Sequence, residues 1–420
     1  MISTQSIVHA AGRATDRRML SAAGWTLDPC LDFLNHGSYG ATPRCVQDVQ
    51  DELRARAERD PVRYLKVDLE ALLDDARAAL GRFVNCRGAD LAPTPNATYA
   101  LATVLNCTPL RPGDEILLTD HEYQSLHNEL ERVCARTGAR AVRAAVPFPI
   151  RSEDQVVEAV VGAMTDRTRL VFISHVTSAT ALVFPVDRVV RECHRRGIDV
   201  VVDGAHAPGQ VPVDVGALRP TYWVCSGHKW LCGPRGSGFM YVRPDKQHLI
   251  RPLSLNSRVH KARPDRGLFL RDFDYLGTDD RTAELAVPAA IEMMGRLFAG
   301  GWPALMRRNH EVAMAGRGLV CRALEVEAPS PESMVGCMAT VPLPDPPAHL
   351  MNRRTSYDDA LQDALVERHG IVAPVWRWGP ANQRVIRISA QVYNTVEQYA
   401  KLADALREEL RLEWSSFSGG

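Results

Sequence analysis

The sequence predicts an α/β fold built on a mainly parallel sheet, followed by a smaller α+β unit, and three observations carry that prediction. Short runs rich in Val, Ile and Leu alternate with helical stretches. The runs are apolar throughout, without the polar alternation of a half-exposed strand. Polar residues gather where the runs end. A strand buried on both faces reads as a continuous apolar run, and burial on both faces belongs to parallel sheets covered by helices.

In chain order, "RCVQDVQDELRARAERD" (44–60) and "DLEALLDDARAALGRF" (68–83) space their apolar residues three and four apart, which predicts amphipathic helices. Strands are expected in "DEILLT" (114–119), "RAVRAAV" (140–146), "RLVFISHV" (169–176), "IDVVVD" (198–203), "TYWVC" (221–225) and "GFMYV" (238–242). Helices are expected between them at 125–137, 153–164 and 186–197, the last closed by Gly197, where a C-cap favours positive φ. Beyond 281 the pattern changes to helices at about 282–299 and 303–326, a strand near "MVGCMATV" (334–341), a helix at about 354–368, a strand "RVIRIS" (384–389) and a final helix. The expected division is an N-terminal segment 1–45 packing on the small domain and the active site, a large domain 46–295 and a small domain 296–420.

Composition excludes several classes of function. Lys and Arg number 50 against 50 Asp and Glu, and 45% of the 420 residues are hydrophobic, as in a soluble globular enzyme. No basic or acidic block predicts a nucleic acid or membrane partner. No run approaches a membrane span and the first residues lack a continuous apolar core, so a cytoplasmic protein is expected. The 10 cysteines contain no CxxC pair and are read as reduced thiols, mostly core fillers.

In an open parallel sheet, ligands bind beyond the C-terminal strand ends. Those ends carry "LLTDHEY", "FISHVTS", "VVDGAHA" and "VCSGHKW". Asp203 follows an apolar strand, and a buried carboxylate requires a cationic partner: a metal, an arginine or a protonated heterocycle. No metal site is predicted, because "HEYQSLH" lacks HExxH spacing and His206 has no third ligand in view. Lys229 lies between His228 and Trp230 after an apolar strand. Most lysines are solvated surface charges, but these surroundings disfavour the ammonium form, as a Schiff-base nucleophile requires. A buried lysine amine with a strand-end Asp is what pyridoxal phosphate needs. Its phosphate finds a cradle in "PTPNATYALATV" (93–104), where Ala97 and Thr98 open a helix after Asn96.

In this order, "NHGSYG", "PNATYA", "TDHEY", "SHVTS", "DGAHAPGQ", "SGHKW" with "GPRGSG", "GTDD" and "RISAQVYNT" resemble the class V aminotransferase family of fold-type I pyridoxal phosphate enzymes, in its isopenicillin N epimerase-like branch. The resemblance runs from about 33 to 395. It implies that Lys229 carries pyridoxal 5'-phosphate and moves protons at Cα, that Asp203 pairs with the ring nitrogen, and that His206 and Ser178 stand near the phenolic oxygen. "SATAL" departs from the family's commoner "SPTG"-like continuation after that serine. Ala97, Thr98, Ser226 and His228 match phosphate-binding positions. Thr278 matches a threonine that reaches the phosphate of the neighbouring subunit, which implies a homodimer with shared sites. His121 matches the ring that stacks on the pyridine, with Tyr123 as second choice; both are candidates for catalysis beside Lys229. Arg387 matches the arginine that grips the substrate carboxylate, and Asn35, His36 and Gly37 match a loop folding over the substrate.

The expected reaction is β-elimination by a carbon–sulfur lyase on an S-substituted cysteine in specialised metabolism, with a small-molecule amino acid as the only partner besides a second copy. A persulfide-forming desulfurase needs a mobile cysteine before the arginine, and "GIVAPVWRWGPANQRVIR" (370–387) has none. Epimerisation, decarboxylation-coupled oxidative deamination, transamination and cofactor binding without catalysis stay open. A serine hydrolase would need a GxSxG elbow and a nicotinamide enzyme a GxGxxG turn; both motifs are missing.

Overall fold

The computed structural model describes residues 20–21, 24–257, 263–351 and 353–415. Residues 1–19 and 22–23 of the expected N-terminal segment fall outside the described residues.

A seven-stranded sheet forms the larger layer. In chain order its strands are β2 (Leu91–Thr94), β3 (Glu115–Thr119), β4 (Arg140–Ala144), β5 (Thr168–Ser174), β6 (Asp199–Asp203), β7 (Tyr222–Ser226) and β8 (Gly238–Val242), after a short β1 (Asp32–Phe33) elsewhere. They lie in the order β2-β8-β7-β6-β5-β3-β4, and β8 alone runs antiparallel to its neighbours. All six predicted strands form. The sequence pattern missed β2, "LAPT", whose Pro93 would interrupt a central strand but is tolerated at the edge, where β2 pairs only with β8.

The apolar runs sort by pleat. Leu117, Val171, Ile173, Val200 and Val202 belong to one core with Val156, Val160, Val189 and Val190 of the helices Glu153–Gly162 and Val186–Arg195. The intervening Ile116, Leu118, Leu170, Phe172 and Val201 belong to a second core with residues of the helices Ala97–Cys107 and Gln124–Thr137. Successive side chains leave a strand on opposite faces, so one continuous apolar run serves two layers. Each fully buried side chain of this kind contributes about 1.5–3 kcal/mol. Gly197 has φ +67°, as its C-cap position requires.

The smaller unit holds β9 (Met338–Pro342), β11 (Val375–Trp378) and β12 (Gln383–Ser389), an antiparallel sheet in the order β11-β12-β9. Helices Gly301–Leu324 and Val396–Ser415 pack on each other beside it, and Tyr399 is fully enclosed there. The predicted helix at 354–368 begins only at Ala360, capped by Asp359. β10 (Ile371–Val372) pairs in parallel with β1, and Ser389 N donates to Leu34 O at 2.8 Å. These contacts fix the chain entering residues 35–40, which then cross to the ends of the large sheet.

Candidate active site

Parallel β5, β6 and β7 end together, with Ser174 beside Asp203 and Asp203 beside Val224. At the far side of β7, Ser226 opposes Gly238 of β8, and Gly238 opposes Thr94 of β2. That register carries Asn96 against the sheet. A Cβ at Gly238 would come within 2.7 Å of the Asn96 Cα, so only glycine allows this approach. Asn96 then caps the following helix, its Oδ1 accepting from Tyr99 N at 2.9 Å, while Ala97 N donates to Ser226 Oγ at 3.4 Å.

The result is a cavity of about 200 Å³ lined by Ala97, Thr98, Asp203, Ser226, His228 and Lys229, among others. A second cavity, about 530 Å³, adjoins it and shares Ser38, Tyr39, Tyr123, Ser178 and Lys229.

Lys229 is fully enclosed, and burial lowers its amine from 10.5 to about 8 against the opposing attraction of Asp203. Its Nζ lies 2.9 Å from His206 Nε2, and His206 Nδ1 receives the Trp230 indole N–H at 3.3 Å. Burial and the Lys229 charge hold His206 neutral, well below the ordinary histidine value. Asp203 accepts one backbone N–H, from Ala205 at 2.8 Å, and burial raises its carboxyl above the usual range. The His228 Nδ1 is buried without a hydrogen-bond partner.

These features fit pyridoxal 5'-phosphate. An enclosed carboxylate facing the cavity suits a protonated ring nitrogen, and a helix N-terminus with two hydroxyls and an imidazole whose Nδ1 is unpaired suits a phosphate. Ala97, Thr98, Ser226 and His228 would hold the phosphate, Asp203 the ring nitrogen and Lys229 the aldehyde carbon.

Arg387 on β12 reaches the larger cavity from the small unit. It donates through Nη1 to Ser178 O at 2.6 Å and through Nη2 to Ser38 Oγ at 2.8 Å, while its Nε is buried without a partner. Among the described residues no carboxylate forms an ion pair with it, and burial lowers the guanidinium to about 10. A buried cation lacking a counter-ion is prepared for an anionic ligand. Ser178 thus orients Arg387, and its own hydroxyl lies 3.4 Å from Nη1.

Four residues expected at the chain's own site, His121, His36, Gly37 and Asn35, line neither cavity. His121 is wholly enclosed and lines neither cavity; its Nε2 donates to Val146 O at 2.9 Å and its Nδ1 pairs with Thr180 Oγ1 at 2.7 Å. Tyr123, the second choice for the stacking ring, lines both cavities, whereas His121, the first choice, reaches neither. His36 also lines neither cavity: Nε2 donates to the Lys229 carbonyl at 3.0 Å and Nδ1 pairs with Tyr393 OH at 2.9 Å. It positions the lysine backbone in place of the substrate contact expected of it. Gly37 lies behind Arg387, where a Cβ would stand 2.4 Å from Met338 Sδ, and Asn35 Oδ1 lies 3.4 Å from Arg387 Nη2. Thr278 is exposed, bonded to Tyr275 OH at 2.8 Å, and lines neither cavity of its own chain.

Sequence reasoning missed Ser38 and Tyr39 as cavity residues, although both lie inside the quoted "NHGSYG". It also missed Glu122. This carboxyl accepts from Thr119 Oγ1 at 2.8 Å and Ser174 N at 3.1 Å, and burial pushes it up to about 7. The ten cysteines form no disulfide, no group of three His, Cys, Asp or Glu among the described residues could hold a metal, and no described helix is long and apolar enough to cross a membrane.

The chain is 37% identical over 401 residues to isopenicillin N epimerase of Amycolatopsis lactamdurans, covering 91% of this chain and 96% of that one. It is 29% identical over 407 residues to a probable chloroplastic L-cysteine desulfhydrase of Arabidopsis thaliana, covering 91% and 84%. Its fold matches that of a C-DES variant solved with glycine covalently linked to the PLP cofactor, at a TM-score of 0.74 and 20% identity over 90% of this chain and 96% of that one. Residues 36–274 match the profile of the family described as Aminotransferase class-V, spanning every large-sheet strand and the lysine turn. The chain, an enzyme with the fold-type I architecture, therefore belongs to the class V aminotransferase family.

Proposed function

We propose that this enzyme uses pyridoxal 5'-phosphate to act at Cα of a bulky amino acid, and that its reaction is β-elimination from an S-substituted cysteine. The observation that carries the reading is the enclosed Lys229 amine, 2.9 Å from a neutral imidazole, at the junction of a cofactor-sized cavity and a larger one reached by Arg387. The bound cofactor supplies an electron sink that weakens the bonds at Cα.

The chain's own residues do the remaining work. Arg387 binds the substrate carboxylate with N–H groups that have no carboxylate partner among the described residues. Lys229 Nζ takes the Cα proton, and the sulfur substituent leaves from Cβ into the larger cavity. His206 holds its own proton against Nζ and keeps the amine from ionising. Elimination needs one base, which Lys229 supplies, whereas epimerisation also needs a second proton carrier.

Epimerisation is the second reading. It is supported by the likeness to isopenicillin N epimerase and by Tyr123, whose hydroxyl-bearing ring lines both cavities and is a candidate proton carrier. A homodimer is proposed on the exposed position of Thr278, which sedimentation of the purified protein tests. Incubation of the holoenzyme with S-substituted cysteines tests the lyase: equal amounts of thiol and pyruvate, lost in Lys229→Ala, are expected. Turnover without thiol release overturns it.

A further inference from the structure

We infer that the substrate's side chain ends in a flat aromatic or heteroaromatic ring, and that Trp376 and Trp378 select it. This rests on the reading of Lys229 and Arg387 as the amino acid site and concerns what lies beyond them.

The larger cavity measures about 530 Å³. That is the size of sites holding drug-sized ligands, roughly 300–1,000 Å³, and far exceeds what the thiol of cysteine would fill. Its aromatic lining is Tyr39, Tyr123, Trp376 and Trp378. The two tryptophans are two residues apart on β11, so both rings leave the strand on one face.

The wall begins at the carboxylate anchor, since the Arg387 guanidinium carbon lies 5.0 Å from the centroid of the Trp376 ring. Trp378 is held from behind, with ring centroids 4.4 Å from His121 and 5.7 Å from Phe148, the latter edge-on. That contact gives enclosed His121 a purpose: it braces the wall. At the mouth, Tyr39 and Tyr123 are 70% and 51% exposed, an unusual placement for large aromatic faces. A long side chain on a substrate fixed at Arg387 and Lys229 enters this cavity, where Asp120, Gln124 and Asp358 share the lining with the four aromatic rings, and a flat ring gains most from the rigid aromatic walls.

An acidic side chain is the competing occupant, because Arg377 Nη2 is buried without a partner. Arg377 lines this cavity too, but it alternates with the two tryptophans along β11 and its Nη1 is engaged by Asp345 and the Asn382 carbonyl.

The test is titration of the holoenzyme with S-benzylcysteine, S-methylcysteine and S-carboxymethylcysteine, following the visible absorbance of the cofactor. S-benzylcysteine is expected to bind at least about tenfold tighter than S-methylcysteine. Trp376→Leu and Trp378→Leu should each erase most of that preference, and Phe at either position should restore part of it. Equal affinity for all three ligands, preference for the carboxymethyl compound, or parallel loss of S-methylcysteine binding in both variants overturns the proposal. Tight S-benzylcysteine binding without thiol release would leave the ring site standing and sink the lyase reading instead.

Discussion

Lys229 Nζ lies 2.9 Å from His206 Nε2, and the Trp230 indole N–H points at the other nitrogen of the same ring from 3.3 Å. An indole can only donate, so neutral His206 carries its proton on Nε2 and directs it at the lysine. The three groups are fully satisfied only when the amine meets that proton with a lone pair. Burial acts in the same direction, lowering the amine from 10.5 to about 8.

The capture of added pyridoxal phosphate by the cofactor-free protein should therefore accelerate with pH and level off above about 8. Stopped-flow absorbance across the range checks this. A rate still climbing near the ordinary lysine value of 10.5 would mean that the amine is not held neutral.

The same depression predicts a stability effect. Between about 8 and 10.5 the unfolded chain binds a proton that the folded protein does not, so stability of the cofactor-free protein rises with pH across that window. The penalty is complete below it. Lys229→Met should stabilise the cofactor-free protein near neutral pH by on the order of 3 kcal/mol, with the gain fading as pH rises through the window. Denaturant melts at several pH values measure it, and a variant less stable at every pH contradicts it.

Arg387→Lys should lower kcat/KM roughly 100-fold, mainly through KM, because one ammonium cannot keep the Ser178 and Ser38 contacts and also bind a carboxylate in two places. A loss confined to kcat would put the substrate carboxylate elsewhere.

Tyr123 and His121 should separate cleanly. Tyr123→Ala is expected to alter the visible spectrum and weaken cofactor binding about tenfold, as loss of a stacking ring would. His121→Ala should leave cofactor affinity nearly unchanged and reduce stability by roughly 1–3 kcal/mol, since the buried Val146 carbonyl loses its His121 donor and Thr180 keeps only Thr177. The opposite pattern would return the stacking role to His121.

Gly40 has φ +66°, and a Cβ there would stand 1.8 Å from the His228 carbonyl oxygen. Gly40→Ala should destabilise the protein by roughly 3 kcal/mol or more and displace the turn that carries Lys229. An unaltered melt and spectrum would contradict the close packing of residues 36–40 on that turn.

The parallel strands were legible because each is an apolar run serving two cores, and their polar ends marked the site. β2 was not, since four residues with a proline resemble a loop until an edge position is known. The site was legible where chemistry restricts the residue type, as at Lys229 and Asp203. His121 and Tyr123 are two residues apart at a strand end, so spacing alone gave no direction, and the turn after β3 sends one ring inward and the other to the cavity. The aromatic wall was hidden for a different reason: Trp376 and Trp378 sit on a short strand of the small unit, and only tertiary packing brings them to Arg387.

The most direct measurement is reaction of the holoenzyme with an S-substituted L-cysteine in deuterated water, with thiol, pyruvate and the Cα configuration of recovered substrate followed together. The account predicts stoichiometric thiol and pyruvate with no accumulation of the inverted amino acid. Deuterium at Cα with inverted configuration and no released thiol would contradict it and assign Lys229 to an epimerase.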